Sequence, residues 1–345
     1  MGKEKIDYSS AGVDLDRAAA AKERIKSLAA STFSENVLGK FGGFGGAFEL
    51  NTSEMNHPIL ISSCDGVGTK LKIAFMTGKH DTVGVDLVNH CINDIAVCGA
   101  EPIFFLDYIA CGYLDPDTVQ QIVKGLATAC LKARTSLIAG ETAEMPDFYE
   151  KGEYDLAGFI VGMVERDNIL DGAGISEGDV VIGYPSVGLH TNGYSLARKV
   201  FFEVAKWDVS KKVDEFGRSV GAELLVPHYC YLSEIHQLKE NNVRGVAHIT
   251  GGGVPGNLNR VIPNGLCARV EVGKQDIPPI FPVMQRLGNI ETEEMYRAFN
   301  MGIGLAAVLS EENAGKVLAE PATSMKPFIF GRIVKGEQPV EMIYC

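Results

Sequence analysis

No run of about 18 apolar residues occurs in this 345-residue chain, so no membrane-spanning helix is expected. Positive charge is scarce. Lys and Arg number 32 against 44 Asp and Glu, giving a net charge of −12 and a pI of about 5.1. That balance argues against binding nucleic acid through bulk electrostatics, and no nucleic-acid partner is expected. A phosphate-rich ligand would need local help from metal ions, backbone N–H groups and a few placed cations. None of the 8 cysteines, at 64, 91, 98, 111, 130, 230, 267 and 345, forms a Cys-x-x-Cys pair. With no signal peptide, that argues for reduced thiols and a cytoplasmic protein. Cys91 and Cys98 are expected to be buried structural thiols. Gly2 follows Met1, but Ile6 stands where a myristoylation motif wants Ser or Thr. Short-period repeats, a Walker A loop and a dinucleotide fingerprint are all missing.

Glycine is abundant, with 39 residues gathered in short loops rather than a low-complexity tract. In Ile61-Ser-Ser-Cys-Asp65-Gly-Val-Gly-Thr-Lys70, an apolar run carries an acidic residue out to a glycine-bracketed turn. That order delivers a carboxylate for a hard cation and a lysine for phosphate at the end of one strand. Gly66 and Gly68 let the backbone approach a ligand or take φ > 0. An ordinary Asp-Gly hairpin turn is the alternative. Gly39 to Phe48 alternates glycines with aromatics, which resembles a lid more than a linker.

The length suggests two domains at about 150 residues each. The polar, glycine-containing stretch 167–178 places the division, giving domains 1–170 and 171–345. Helices are expected at 17–30, 81–98, 115–132 and 194–204, and near 222–225, 230–240, 281–287 and 291–299. Strands are expected at 59–64, 103–109, 137–140, 156–164, 179–184, 267–272, 304–309, 328–333 and 340–344. This α/β (α+β) pattern lacks a strict βαβ rhythm, so mixed sheets flanked by helices are predicted. In the helix 81–98, Leu87, Val88, Cys91, Ile92 and Ile95 share one face. Asp86, His90, Asn93 and Asp94 share the other, at i, i+4, i+7 and i+8. Plain solvation is the usual fate of such a stripe.

Asp65, Asp94 and Glu141 are the candidate metal ligands. Hard oxygens with no partnering His or Cys cluster suit Mg²⁺. Asp107 and Glu144 are spares, and Lys70 is a candidate phosphate contact. In the second half, the loop carrying Gly188, His190, Thr191, Asn192 and Ser195 links a strand to a helix, which suits an anion. His190 is a candidate acid, base or hydrogen-bond donor. Thr250, Gly251, Gly252 and Gly253 precede a short helix, and three consecutive glycines are costly unless the backbone must approach something.

Taken in order, these segments closely resemble the phosphoribosylformylglycinamidine cyclo-ligase (aminoimidazole ribonucleotide synthetase) family. They are Tyr8–Asp14, the Gly-Phe-Gly-Gly loop, Asp65–Lys70, Asn93–Pro102, Gly140–Pro146, Gly188–Ser195, Thr250–Gly253 and Arg297–Gly302. The resemblance covers nearly the whole chain. It implies ATP and Mg²⁺ as cofactors, an acyclic ribonucleotide substrate, and a homodimer whose N-terminal domains pair into a shared barrel-like core. It also implies that Asp65, Asp94 and Glu141 are the metal–phosphate carboxylates. Gly42, Gly43, Gly45 and Gly46 would cover the phosphates, alongside Gly66, Gly68, Thr69 and Lys70. The 188–195 and 250–253 loops would face the substrate, with His190 as a proton shuttle. Two departures stand out: Ala18-Ala-Ala20 where the family has a Gly-Asn pair, and Gly256 and Asn259 where it has Glu and Pro. Rival readings are another ATP-using member of the superfamily, whether a small-molecule kinase or a maturation dehydratase, and a non-catalytic nucleotide-binding subunit.

Overall fold

The computed structural model describes residues 15–39 and 42–345. The Gly2–Ile6 and Tyr8–Asp14 readings, and Lys40 and Phe41 of the glycine–aromatic loop, lie outside the described residues. The expected mixed sheets with flanking helices are present.

The first sheet has four strands in the order Pro58–Gly66, Tyr154–Glu165, Glu101–Cys111, Ser136–Glu144. The first two pairings are antiparallel and the last is parallel. A parallel pair needs a crossover, here the helix Pro116–Lys132. Asp115 starts that helix by accepting from the N–H groups of Asp117 and Thr118, and proline is tolerated just after it.

The helix Val83–Ala96 packs on one face of this sheet. Leu87, Val88, Cys91, Ile92 and Ile95 are at most 1% exposed, as their spacing predicts. Cys98, just beyond the helix, is only half-buried. Glycines let the layers close. A Cβ at Gly158 would sit 2.9 Å from Leu87 Cγ. At Gly84 it would sit 2.3 Å from the Ile122 carbonyl oxygen, and at Gly125 2.5 Å from that of Asp81. The helices Val83–Ala96 and Pro116–Lys132 therefore meet backbone to backbone. On the other face, the register lines up Cys64, Phe159 and Leu106 in one row and Ser62, Val161 and Phe104 in the next. Leu60 and Phe159 there are 54% and 43% exposed.

The second sheet has six strands in the order Gly245–His248, Ile303–Leu309, Val180–Pro185, Phe328–Lys335, Leu266–Val272, Val340–Tyr344. Only its last pair is parallel. Ile303–Leu309 is buried along its whole length, with helices over both faces. Ile182, Leu305 and Leu309 pack with Ile235, Leu238 and Val317 of the helices Leu232–Glu240 and Glu311–Ala319. Val181, Ala306 and Val308 share the main core with Val254, Leu258, Phe281 and Met284. The helix expected at 194–204 is regular over Tyr194–Arg198 and widens to a π-turn over Lys199–Val204. Among the described residues no helix is long and apolar enough to cross a membrane.

Apart from two-residue strands and single 3-10 turns, three elements escaped the sequence reading: Leu71–Thr77, Gly245–His248 and Glu311–Ala319. The first is a seven-residue helix ended by Gly78 in the left-handed conformation. The second has four residues, too few to show a period.

The contact at Gly84 is testable. Gly84→Ala is expected to cost about 1–3 kcal/mol by overpacking. Gly315→Ala, whose added Cβ meets nothing within 4 Å, is expected to be neutral or to stabilise by a few tenths up to about 1 kcal/mol. Urea midpoints of the two variants check this, and equal midpoints would refute the close contact.

Candidate active site

The polar stripe of Val83–Ala96 is not solvated. It is the seam between the two halves of the chain. Asp86 Oδ1 accepts from the His228 N–H at 2.7 Å, and Asn89 Nδ2 donates to the His228 carbonyl at 2.7 Å. Asn93 donates to the Tyr229 carbonyl and accepts from the Tyr231 N–H, each at 2.8 Å. A stripe at helical spacing thus holds the backbone of residues 228–231, which has no sheet partner of its own. Asp86 and Asn93 are fully buried.

Lys70 lies in the same seam. Its ammonium is fully buried and donates to Asp86 Oδ1 at 2.7 Å, to the Val226 carbonyl at 2.7 Å and to the His190 carbonyl at 3.0 Å. Burial pulls its pKa down and Asp86 pushes it back up. Three acceptors use all three N–H donors of an ammonium. The expected phosphate contact is therefore corrected: Lys70 ties the halves together and has no proton left for a ligand.

The same helix carries His90 and Asp94 to the open end of the seam, where a chain of hydrogen bonds joins two carboxylates. Asp94 Oδ1 lies 2.8 Å from His248 Nδ1, and His248 Nε2 lies 2.9 Å from His228 Nε2. His228 Nδ1 lies 3.2 Å from Thr191 Oγ1, which lies 2.8 Å from His90 Nδ1. His90 Nε2 closes on Asp65 Oδ2 at 2.8 Å and lies 3.6 Å from Asp94 Oδ2. These five links need five protons. Three neutral imidazoles and one hydroxyl hold four, so one ring must be an imidazolium. That ring is His90. Burial opposes its charge, but the hydrogen bond to Asp65 and the charges of Asp94, Asp65 and Asp86 outweigh burial and raise its pKa. Burial lowers His248 despite Asp94, and burial with neighbouring rings lowers His228 strongly. Burial would raise Asp65 and Asp94, yet His90 and His248 respectively pull both below the usual carboxylate value. The expectation of carboxylates without a histidine cluster is thus corrected. His90 was visible one turn from Asp94 (i, i+4), but His228, in an aperiodic loop, gave no signal.

The two loops of the second half meet this ring. Thr191 is part of it. Asn192 Oδ1 lies 3.1 Å from where a Gly251 Cβ would sit, and Thr69 Oγ1 meets Ser195 Oγ at 3.2 Å across the seam. Gly68, at φ +66°, shapes the Asp65 turn, and the Gly66 N–H donates to Asp65 Oδ1 at 2.6 Å. Asn257 donates to the carbonyls of Thr250, Gly251 and Gly253 and so fastens the glycine run. Gly253 has a packing reason as well, since its Cβ would fall 1.9 Å from the Tyr296 carbonyl oxygen. Gly188 is held through its carbonyl by Asn300, which also accepts from Ser186.

His190 faces inward. It is 2% exposed, sits at φ +62° and stacks on His228 at 4.1 Å. Nε2 accepts from the Val187 N–H at 3.3 Å. Burial and the neighbouring charges of His248 and Lys70 hold its pKa well below the usual value, so the ring is neutral. Direct contact with a substrate does not fit this placement, because the left-handed backbone turns the ring onto His228.

Glu141 is separated from Asp65 and Asp94. Cross-strand register aligns Asp65, Gly158, Asp107 and Gly140. Three strand steps of about 4.8 Å put Glu141 roughly 14 Å from Asp65 along the sheet. The three carboxylates cannot hold one ion. Glu141 and Asp107 line a cavity of about 250 Å³ together with Lys22, Gly42, Gly43, Gly45 and Gly46. A Cβ at Gly140 would lie 2.3 Å from Asp107 Oδ1. Burial pushes the Asp107 carboxyl up to about 7. Glu144, the other spare, accepts from the Leu114 N–H at 2.9 Å.

Residues 54–164 match the family described as AIR synthase related protein, N-terminal domain, and residues 176–342 match its C-terminal domain. The phosphoribosylformylglycinamidine cyclo-ligase of Alkaliphilus oremlandii is 48% identical over 338 residues, covering 97% of this chain and 99% of that protein. That of Geobacter sulfurreducens is 48% identical over 345 residues, covering 99% of both. Among solved structures, thiamine-monophosphate kinase from Stenotrophomonas maltophilia superposes with a TM-score of 0.68 at 16% identity, covering 94% of this chain and 95% of that one. Hydrogenase maturation protein HypE in complex with ATP gives a TM-score of 0.64 at 16% identity, covering 94% and 91%. At such identities the two structures share the fold alone.

Asp86→Ala leaves Lys70 buried without its counter-charge and is expected to cost about 3–5 kcal/mol. Lys70→Met/Asp86→Leu is expected to cost less than the sum of the single variants by chemical denaturation; strict additivity would argue against a coupled pair. Asp107 gives a pH signature. The folded chain keeps its proton up to about 7, while the unfolded chain loses it near 3.8. The folded state therefore binds the extra proton between those values, and stability falls as pH rises through them. Asp107→Asn is expected to flatten that fall, and an unchanged stability–pH profile would refute the raised pKa.

Proposed function

We infer that this chain closes an imidazole ring using ATP, because it belongs to the phosphoribosylformylglycinamidine cyclo-ligase family. The proposed reaction converts formylglycinamidine ribonucleotide and ATP into aminoimidazole ribonucleotide, ADP and phosphate, a step of de novo purine biosynthesis. The enzyme is thus a ligase forming a C–N bond. The observation that carries the reading is the meeting of the Asp65 turn, the 188–195 loop and the 250–253 loop at one seam.

Chemically, an amide or formyl oxygen leaves poorly until it is phosphorylated. ATP supplies the phosphoryl group, and a nitrogen of the same substrate then attacks the activated carbon and expels phosphate. Catalysis of this kind is positioning plus charge neutralisation. Asp65 and Asp94 flank His90 Nε2, at 2.8 and 3.6 Å, and their side chains remain partly exposed beside it. Two converging carboxylates suit Mg²⁺ carried with phosphate. Glu141 serves the same ligand from the cavity beside it, where Gly42, Gly43, Gly45 and Gly46 cover the phosphates. Gly66, Gly68 and Thr69 shape the turn. Gly188, Thr191, Asn192, Ser195 and Thr250 to Gly253 face the substrate. His190 is a positioning residue that sets the loop and backs His228.

The exposed apolar rows of the first sheet support a homodimer with a shared barrel-like core. A biosynthetic enzyme of this family suits the cytoplasm. The fold shared with a kinase and a maturation protein leaves the main rivals in view, but full-length identity near 48% favours the cyclo-ligase.

ADP release by the purified protein with Mg-ATP tests the reading, with aminoimidazole product assayed in parallel. Formylglycinamidine ribonucleotide is expected to trigger both in equal amounts. Asp94→Asn is expected to lower kcat about 10²-fold or more, the range for loss of an electrostatic stabiliser. ADP release without imidazole, or independent of the ribonucleotide, would overturn the assignment.

A further inference from the structure

The cavity beside Glu141 holds one group that ring closure as described leaves without a task, the Asp107 carboxyl. We propose that Asp107 reads the nucleobase edge of the nucleotide and selects adenine over guanine. The inference rests on the ring-closing reading for the nucleotide itself and adds how its base is chosen.

The cavity has a charged rim and an apolar body. Lys22 and Glu141 are exposed at the rim, whereas Ile25, Phe33, Val37, Val123, Leu137 and Ile138 form walls. Its volume of about 250 Å³ is below the roughly 300–1,000 Å³ of a site that encloses a whole drug-sized ligand. It therefore suits a flat ring system, with sugar and phosphates outside. The glycine run agrees with that division. An added Cβ at Gly46 would sit 2.8 Å from Ile138 Cγ1, while at Gly42 and Gly45 it would meet nothing within 4 Å. The run is pressed on the slot at one end and leaves room at the other.

Asp107 brings a carboxyl to this apolar body. It stands on the inner strand Glu101–Cys111, opposite Gly140 of the edge strand Ser136–Glu144. A side chain at Gly140 would fill the space at Asp107 Oδ1, since its Cβ would lie 2.3 Å away. Glycine there keeps the carboxyl facing the cavity. Among the described residues no side chain and no N–H of another residue donates to that carboxyl. A polar group shielded from water is costly without a partner, so a ligand edge that supplies one is favoured. Burial holds the proton on Asp107 up to about 7. A protonated carboxyl presents one donor and one acceptor. The Watson–Crick edge of adenine presents the complement, the N6 amine and the N1 acceptor, so two hydrogen bonds form in one plane. Guanine offers O6 and N1–H but adds the N2 amine, which the aliphatic walls leave unpaired.

The test is calorimetric titration of the full-length protein with Mg-ATP, Mg-GTP and the Mg-triphosphate of purine riboside, without the ribonucleotide substrate. ATP is expected to bind about 10–100-fold tighter than GTP, the span of one buried donor left unpaired. The purine analogue, which lacks the N6 amine, is expected to bind about 10-fold more weakly than ATP. Asp107→Leu is expected to erase the preference for ATP over GTP. Asp107→Asn, which still offers one acceptor and a donor, is expected to keep it. The ratio of the two affinities is the readout, because a merely structural loss of the cavity weakens both nucleotides alike. Equal affinities in the unmodified protein, or an unchanged ratio in Asp107→Leu, overturns the proposal. If Asp107→Leu does not fold, the purine analogue decides, and affinity equal to that of ATP overturns it. Each of those outcomes leaves the ADP-release assay untouched, whereas no binding of ATP at all overturns both readings.

Discussion

A fully buried ion pair, Lys70 with Asp86, governs how the two sheets of this chain meet. Both partners come from the first half, but the ammonium spends its other two protons on carbonyls of the second half, at His190 and Val226. Burying two charges is unfavourable unless their hydrogen bonds are completed. Here completion requires the second half in place. The pair thus works as a docking device, and Asn89 and Asn93 extend it along the helix Val83–Ala96.

The site follows from that docking. One helix has three duties at different angles around its axis. Its apolar face builds the first core, its central polar residues hold residues 228–231, and His90 and Asp94 at the edge face the seam's mouth. His228 is brought to His248 and Thr191 only because its backbone is held by Asp86 and Asn89. A chain of imidazoles between two carboxylates therefore forms from five separate segments, none of which carries it alone.

Much of the architecture was legible in the sequence because apolar periodicity reports burial directly. Leu87 to Ile95 gave the helix and its inner face, and Asp115-Pro116 gave the start of the next helix. Polar residues report less. The spacing of Asp86, His90, Asn93 and Asp94 said that they share a face, but not whether water or protein lies opposite. Lys70 was misplaced for the same reason, since a lysine after a glycine turn looks alike whether its ammonium meets phosphate or a buried aspartate. Gly253 pointed to a close backbone approach, and part of that approach is to Tyr296 rather than to a ligand. His228 sits in a loop whose shape is imposed from the other half, so no local pattern could mark it.

Hydrogen exchange at the His228 and Tyr231 amides tests the docking most directly, since each donates to a side chain of the helix Val83–Ala96. If the seam is the cooperative element described, both exchange as slowly as the buried strand Ile303–Leu309, through global unfolding alone. Exchange as fast as at the exposed turn residues Glu337 and Gln338 would mean that the segment is not held by the helix, and the account of how the site is assembled would fail.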